Sequence, residues 1–241
     1  MARAVLHLIT DRGTAPDLVG AVTAALAGGV DWVQLRDKSA AARDLFALAR
    51  QLRPLCRERG AGLLVNDRVD VALAAGCDGV HLAKKSLPVR EARRLLQPGR
   101  LVGASVHSIE EAVAAAGEGA DYVTFGSVFP TRSHPGRPAA GVEELARVVR
   151  AVEIPVLAIG GITPENVAEV LATGVAGVAV ISSILAEADP ARAAARLRET
   201  MERVPHRPRV PFPPPRSPWP GTAATVPAAR TPGPEPGGPA G

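Results

Sequence analysis

Two kinds of apolar pattern alternate along the chain. Runs of three to five residues, such as 5–9, 32–35 and 156–159, are mostly apolar and rich in valine, isoleucine and leucine, with His7 and Gln34 as single polar positions in the first two. They are too short for helices and suit strands buried on both faces. Between them lie longer stretches with apolar residues every three or four positions. Leu45, Leu48, Leu52 and Leu55 form one such stripe, and Val142, Leu145, Val148 and Val149 another. These predict amphipathic helices. A repeat organises the alternation: Gly29-Val30-Asp31-Trp32-Val33, Gly76-Cys77-Asp78-Gly79-Val80, Gly119-Ala120-Asp121-Tyr122-Val123 and Gly174-Val175-Ala176-Gly177-Val178, spaced by 47, 43 and 55 residues. Each occurrence follows an alanine-rich helical stretch and opens a strand. Its glycine suits the position just past a helix C-terminus, where the backbone turns left-handed. A spacing of about 45 residues is too long for one strand–helix unit and right for two. The strands then fall at 5–9, 32–35, 63–65, 79–82, 101–104, 122–125, 156–159 and 177–181. Eight strand–helix units in about 200 residues predict an α/β fold of one domain, a closed (β/α)8 TIM barrel. An open doubly wound sheet is the competing arrangement, but no G-x-G-x-x-G follows the first strand.

The pattern stops near residue 204. Residues 205–241 hold 13 prolines and five glycines, among them Pro213-Pro214-Pro215. Such composition predicts a disordered tail outside a catalytic domain spanning 1–204, with Phe212 and Trp219 as spare aromatics and truncation after Val204 harmless.

Composition narrows the class. Apolar residues make up 46 % and charged ones 22 %, as in an ordinary globular protein. No uncharged apolar stretch of about 18 residues is present, so no membrane span is expected. The N-terminal residues do not resemble a cleaved leader, and Cys56 and Cys77 are too few for a disulfide framework or a zinc site, so a cytoplasmic protein is expected. Of the net charge of +4, the arginines and single glutamate after Val204 account for +3, leaving +1 for residues 1–204. A nearly neutral body with 3 % aromatics argues against a nucleic-acid surface. Only three of the 28 basic residues are lysines, namely Lys38, Lys84 and Lys85, and all three follow predicted strands. In a barrel the chemistry sits at the C-terminal ends of strands.

Those strand ends carry the candidate residues. After the second strand, alternation puts Gln34, Arg36 and Lys38 on one side, an amide with two cations suited to an anion. After the third come Asn66 and Asp67. One of the two suits an N-cap for the helix starting at Val69; the other, Asp67, suits a hard cation such as Mg2+ together with phosphate oxygens. His81 is expected to pack in the mouth. Ser105 can bind an oxygen, and Ser108 with Glu111 reads as a capping box. The sixth loop, with Thr131, Arg132, Ser133 and His134, has the length of an active-site lid. The glycine pair Gly160-Gly161 and the run Ile181-Ser182-Ser183 stand after strands seven and eight, the common phosphate site of this fold.

Taken in order, these motifs resemble the thiamine-phosphate synthase family and its sibling, the TenI-type thiazole tautomerases. The match runs from Leu8-Ile9-Thr10-Asp11 to Ile181-Ser182-Ser183-Ile184. It rests on Gln34-Leu35-Arg36-Asp37-Lys38, Asn66-Asp67-Arg68-Val69-Asp70, Gly79-Val80-His81-Leu82, Ser105-Val106-His107-Ser108, Phe129-Pro130-Thr131 and Ile159-Gly160-Gly161-Ile162. The resemblance implies a Mg2+-dependent transferase of thiamine biosynthesis that acts on small phosphorylated substrates and can be a homo-oligomer. It joins hydroxymethylpyrimidine diphosphate to thiazole phosphate; diphosphate leaves first, and the thiazole nitrogen attacks the resulting cation. Carried over, Gln34, Arg36, Lys38, Asn66 and Ser105 hold the pyrimidine diphosphate, with Arg36, Lys38 and Ser105 as the catalytic residues and Asp67 on Mg2+. Thr131, Ser133, His134, Gly160, Gly161, Ile181 and Ser182 hold the thiazole phosphate. Two positions depart from the pattern. Ser86, in Ala83-Lys84-Lys85-Ser86, stands where the synthases carry a second Mg2+ carboxylate, and His134 stands where they carry a lysine. The tautomerases lack the Ser86-position carboxylate, but they tend to lose the one at Asp67 too, and a histidine takes the place of Ser127. Lys38 and Asp67 therefore match a synthase and Ser86 a tautomerase; a non-catalytic precursor-binding protein is the third reading. Lys84 or Lys85 is expected to replace part of the missing metal charge.

Overall fold

The eight apolar runs all become strands in the computed structural model, which describes residues 3–96, 98–131 and 138–215. They are β1 (Val5–Ile9), β2 (Trp32–Leu35), β3 (Gly62–Asn66), β4 (Gly79–Leu82), β5 (Leu101–Val106), β6 (Tyr122–Gly126), β7 (Val156–Ile159) and β8 (Gly177–Val180). Each pairs in parallel with the next, and β1 closes on β8 with His7 opposite Ala179. Closure rules out the open sheet and leaves no unpaired edge. β3, β5 and β6 run slightly further than predicted. β8 stops at Val180 because Ile181, at φ −122° and ψ −82°, turns the chain into α8 (Ser182–Leu185).

Alternation along each strand separates two cores. Leu6, Leu8, Val33, Leu35, Leu63 and Val65 face the surrounding helices. Val5, Trp32, Leu64, Leu101, Tyr122 and Leu157 pack together inside the barrel. The helical stripes are centred slightly off the expected line: Leu45, Ala49, Leu52 and Cys56 of α2 (Ala42–Glu58) and Leu145, Val148 and Val149 of α6 (Gly141–Ala151) are the buried positions, while Leu48, Leu55 and Val142 lie partly buried at the edge.

The repeat is a device of the N-terminal end of the barrel. Its glycines take φ values of +96° (Gly29), +68° (Gly76), +97° (Gly119) and +85° (Gly174), the left-handed region open to a residue without a Cβ. Its aspartates tie in the strand before. Asp31 accepts from the Leu6 N–H at 2.7 Å, Asp78 from Leu63 at 2.8 Å and Asp121 from Val102 at 2.7 Å. Arg198 pairs with Asp31, and Arg93 with Asp121. Burial pushes the Asp78 carboxyl up, against the Leu63 hydrogen bond and the charges of Arg53 and Arg100.

The stretch after Val204 departs from the expected free tail. Beyond α9 (Pro190–Arg203), His206 Nδ1 donates to the Leu171 carbonyl at 3.1 Å. The Arg209 N–H donates to Gly174 O at 3.0 Å, and its guanidinium to Val149 O at 2.9 Å. Phe212 is only 9 % exposed; its ring meets Trp32 edge-on at 5.5 Å and Tyr122 at 4.9 Å. Proline forbids a helix or a ladder here, yet it leaves the chain free to run as a strap that delivers one aromatic. The folded body therefore continues through Phe212, and Phe212 is no spare aromatic. Residues 216–241, Trp219 among them, lie outside the described residues.

Candidate active site at the barrel mouth

The C-terminal ends of β2 to β5 place one connected polar group. Gln34 is 1 % exposed, and its Nε2 donates to Asn66 Oδ1 at 2.7 Å. Asn66 Nδ2 donates in turn to Asp67 Oδ2 at 2.6 Å. Asp67 itself sits at φ +61°, with its N–H bonded to the His81 carbonyl at 2.9 Å. Its other carboxylate oxygen accepts from the Ala83 N–H at 3.1 Å and from the Ser86 hydroxyl. Neither Asn66 nor Asp67 caps α3 (Val69–Ala75): the N-cap position is Arg68, with no side-chain cap, so the expected capping role is not filled. The contacts of both side chains across to β2 and the β4 loop take them away from the helix.

The loop after β2 is pinned by its acid and leaves its lysine outward. Asp37 accepts from the N–H and hydroxyl of Ser39 at 3.0 and 2.9 Å, and pairs with Arg12 at 2.8 Å. Desolvation would raise the Asp37 carboxyl, but the Ser39 bonds and the Arg12 charge outweigh it and hold it below its usual range. Lys38 is exposed and has no partner among the described residues. Arg36 is fixed through its backbone: its N–H donates to Thr10 Oγ1 at 2.7 Å, and its carbonyl accepts from the same hydroxyl at 2.9 Å. Its guanidinium lies 3.5 Å from Asp11.

Below this group lies a polar layer. His81 Nε2 is 2.9 Å from Ser105 Oγ, and His81 Nδ1 is 2.9 Å from the Tyr122 hydroxyl. Burial pushes the His81 imidazole down to about 3, consistent with a packing role. Burial, and then the cost of a second positive charge beside His81, bring His7 to about 3 as well, with the Gln34 amide opposing them. Both His7 nitrogens and Gln34 Oε1 are buried without a hydrogen-bond partner. Ser108 caps α5 (Ile109–Gly117) as expected, accepting from the Glu111 N–H at 3.2 Å. Glu111 reaches back one residue further than a capping box requires, to the His107 N–H at 2.7 Å. The Lys84 side chain is 80 % exposed and lies 3.7 Å from Glu111.

Gly160, Gly161, Ile181 and Ser182 come together on the opposite side of the mouth, at the ends of β7 and β8. Gly160 and Gly161 take φ values of +101° and +67°. A Cβ on Gly161 would fall 2.6 Å from the Pro130 carbonyl oxygen, so the pair also lets the loop after β6 approach closely. Phe129 N–H donates to Gly160 O at 3.1 Å across this contact. Thr131 ends the described part of that loop; Arg132, Ser133 and His134 lie outside the described residues. Among the described residues no three His, Cys, Asp or Glu side chains gather to hold a metal. One carboxylate, Asp67, with the Ser86 hydroxyl on it, suits a single hard cation completed by ligand oxygens and water rather than a closed protein cage.

Sequence reasoning passed over Thr10, Asp11, Thr124 and Tyr122. Thr10 and Asp11 directly follow β1, where the strand-end rule could have found them. Tyr122 is the only tyrosine in the chain.

A closed (β/α)8 barrel with cations, a carboxylate and a hydroxyl at the C-terminal mouth of its strands is an enzyme scaffold with its site in the usual place. Residues 6–184 match the family model described as thiamine monophosphate synthase, and the chain belongs to that family. It is 46 % identical to the thiamine-phosphate synthase of Pyrococcus horikoshii over 199 residues, covering 83 % of this chain and 95 % of that one. It is also 46 % identical to that of Roseiflexus castenholzii over 191 residues, 78 % of this chain and 84 % of the relative. The solved thiamine phosphate pyrophosphorylase from Pyrococcus furiosus superposes with a TM-score of 0.77 at 44 % identity, covering 83 % of this chain and 96 % of that one. A 3-hexulose-6-phosphate synthase, at 18 % identity and a TM-score of 0.61 over 83 % of this chain and 99 % of the other, shares the fold alone. Among the described residues no helix is long and apolar enough to cross a membrane.

Proposed function

We propose that this chain is a thiamine-phosphate synthase, joining hydroxymethylpyrimidine diphosphate to thiazole phosphate with release of diphosphate. The observation that carries the reading is the Asp67 carboxylate, kept at the end of β3 and fixed by Asn66, Ala83 and Ser86, in a chain of this family. In the reaction, the bond between the pyrimidine methylene carbon and the diphosphate oxygen breaks, and its electron pair leaves with diphosphate. The thiazole nitrogen then supplies the pair for the new carbon–nitrogen bond. Such chemistry asks for positioned charge and a fixed nucleophile more than for acid–base groups. Gln34 and Asn66 orient the pyrimidine diphosphate, Arg36 and Lys38 take up charge on the leaving group, and Ser105 contacts it. Asp67 with Ser86 would hold Mg2+, which when bound supplies further positive charge to the diphosphate. Thr131, Ser133, His134, Gly160, Gly161, Ile181 and Ser182 receive the thiazole phosphate. Incubation with both substrates and Mg2+ should yield thiamine phosphate, detected by chromatography after oxidation to its fluorescent thiochrome. Isomerisation of the thiazole without coupling would instead make the protein a tautomerase, and binding without turnover a precursor-binding protein.

A further inference from the structure

Tyr122 is fully buried, and among the described residues its hydroxyl has one partner, His81 Nδ1 at 2.9 Å. A buried O–H that donates to nothing is costly, so this hydroxyl donates to Nδ1. A neutral imidazole carries one N–H, which then sits on Nε2. With Nδ1 accepting from Tyr122, the His81 ring bears no second proton and is neutral. Its Nε2 faces Ser105 Oγ at 2.9 Å and donates to it, with Thr124 Oγ1 further off at 3.3 Å. Thr124 also lies 3.5 Å from Ser105 Oγ. Ser105 thus receives a hydrogen bond from below, and its own proton is left to point elsewhere. It stands near the C-terminal end of β5, half-buried, where elsewhere means the mouth.

We infer that Tyr122 and His81 are positioning residues that set the direction of this hydrogen-bond chain and make Ser105 a donor toward the bound substrate. The inference rests on the synthase reading for the identity of that substrate. No proton changes hands: Ser105 keeps its hydrogen and offers it to an oxygen of the departing diphosphate, whose negative charge grows as the bond breaks. With the opposite tautomer, His81 Nε2 would be an acceptor. The Ser105 hydroxyl would then donate downward and turn a lone pair to the anion. The tyrosine is itself fixed. The ring lies against Gly103, where a Cβ would fall 2.1 Å from Tyr122 Cζ, and against the Phe212 ring at 4.9 Å.

Two measurements test the relay. Nitrogen-15 NMR of the ligand-free protein, with the His81 signal assigned by its loss in His81→Gln or His81→Asn, should show the Nε2–H tautomer; Tyr122→Phe, which keeps the ring, should give a tautomer mixture. In steady-state kinetics Tyr122→Phe should lower kcat about tenfold, equivalent to about 1.4 kcal/mol, with the KM for thiazole phosphate unchanged. In a Ser105→Ala background the same substitution should cost nothing more, which a merely structural loss would not reproduce. An Nδ1–H tautomer in the wild type, or equal losses from Tyr122→Phe with and without Ser105, overturns the relay. A wild-type protein that forms no thiamine phosphate overturns the synthase reading, while the NMR result still decides the direction of the chain.

Discussion

The two ends of the barrel are built from the same strands and do opposite work. On β2 the inward positions are Trp32 and then Gln34; on β3, Leu64 and then Asn66; on β6, Tyr122 and then Thr124. Two residues along a strand, about 7 Å, separate a closed apolar end from a polar one. At the N-terminal end Phe212 shuts the bore against Trp32 and Tyr122, and the three repeat aspartates tie β1 to β2, β3 to β4 and β5 to β6. At the C-terminal end Gln34 bonds to Asn66 and His81 to Ser105, both His7 nitrogens and Gln34 Oε1 are left without partners, and the cations stand outside them. One end stabilises, and the other holds unsettled charge ready for a ligand.

The sharpest way to break this division is to open the closed end. Truncation after Val204 removes the Arg209 anchors and Phe212 together, and Phe212→Ala removes the ring alone. Loss of a buried phenylalanine costs roughly 3 kcal/mol, which for a domain of this size lowers Tm by roughly 10 °C. Calorimetry should show that loss for Phe212→Ala and more for the truncation. An unchanged Tm in both would mean that the strap contributes nothing to the closed end.

The next largest effect belongs to the open end and should leave stability alone. Lys38→Ala removes an exposed cation without a partner among the described residues, so its Tm should match the wild type. If the lysine meets charge that builds on the departing diphosphate, kcat should fall about 10²-fold, a barrier increase of about 2.7 kcal/mol. Lys38→Arg should recover only part of it, because a planar fork does not replace a compact ammonium. A Lys38→Ala enzyme with full kcat would take the lysine out of the chemistry.

Between the two ends lie the buried histidines, and acid should find them first. His7 and His81 each fall from 6.5 to about 3 on folding. Between those values the unfolded chain binds more protons than the folded one, so stability drops as pH falls from 6.5 and is unaffected by them above it. Each contributes a slope of up to about 1.4 kcal/mol per pH unit. His206, also lowered by burial, acts in the same direction. Urea midpoints between pH 7 and pH 4.5 should show this decline, and His7→Leu should flatten it. An equally steep decline in His7→Leu would remove His7 from the acid response.

What could be read from the residues follows the same division. The strands, the closure and the left-handed glycines were legible because each rests on a local rule of period or chirality. The positions of Gln34, Arg36, Asn66, Asp67 and Ser105 at one end followed from the strand-end rule alone. Phe212 was not legible, because one aromatic in a proline run carries no period, and only the hollow between Trp32 and Tyr122 gives it a place. The contacts of His81 were hidden for another reason: Tyr122 is 41 residues away and Ser105 24, and no local pattern joins them. The capping role expected of Asn66 or Asp67 failed because both side chains found partners on other elements instead.

The smallest expected effect concerns the two lysines beside Ser86. Charge counting alone suggests that Lys84 or Lys85 stands in for a missing metal carboxylate's cation. The geometry gives Lys84 a different partner. Its ammonium lies 3.7 Å from Glu111, the acid that also accepts from the His107 N–H at the start of α5. Ser86, not a lysine, occupies the space next to Asp67. An exposed pair of this kind contributes at most about 1 kcal/mol, and Glu111 keeps its backbone contact when the lysine is removed. Lys84→Ala/Lys85→Ala should therefore change Tm by no more than about 3 °C, and its turnover at saturating Mg2+ should stay within about threefold of wild type. Titration of both proteins with a chelator is the deciding measurement. Parallel loss of activity would leave the lysines on the solvated surface of the mouth. A double variant that becomes inactive, or far more dependent on Mg2+ than the wild type, would show that their charge reaches the diphosphate after all and would extend the open end of the barrel to the loop after β4.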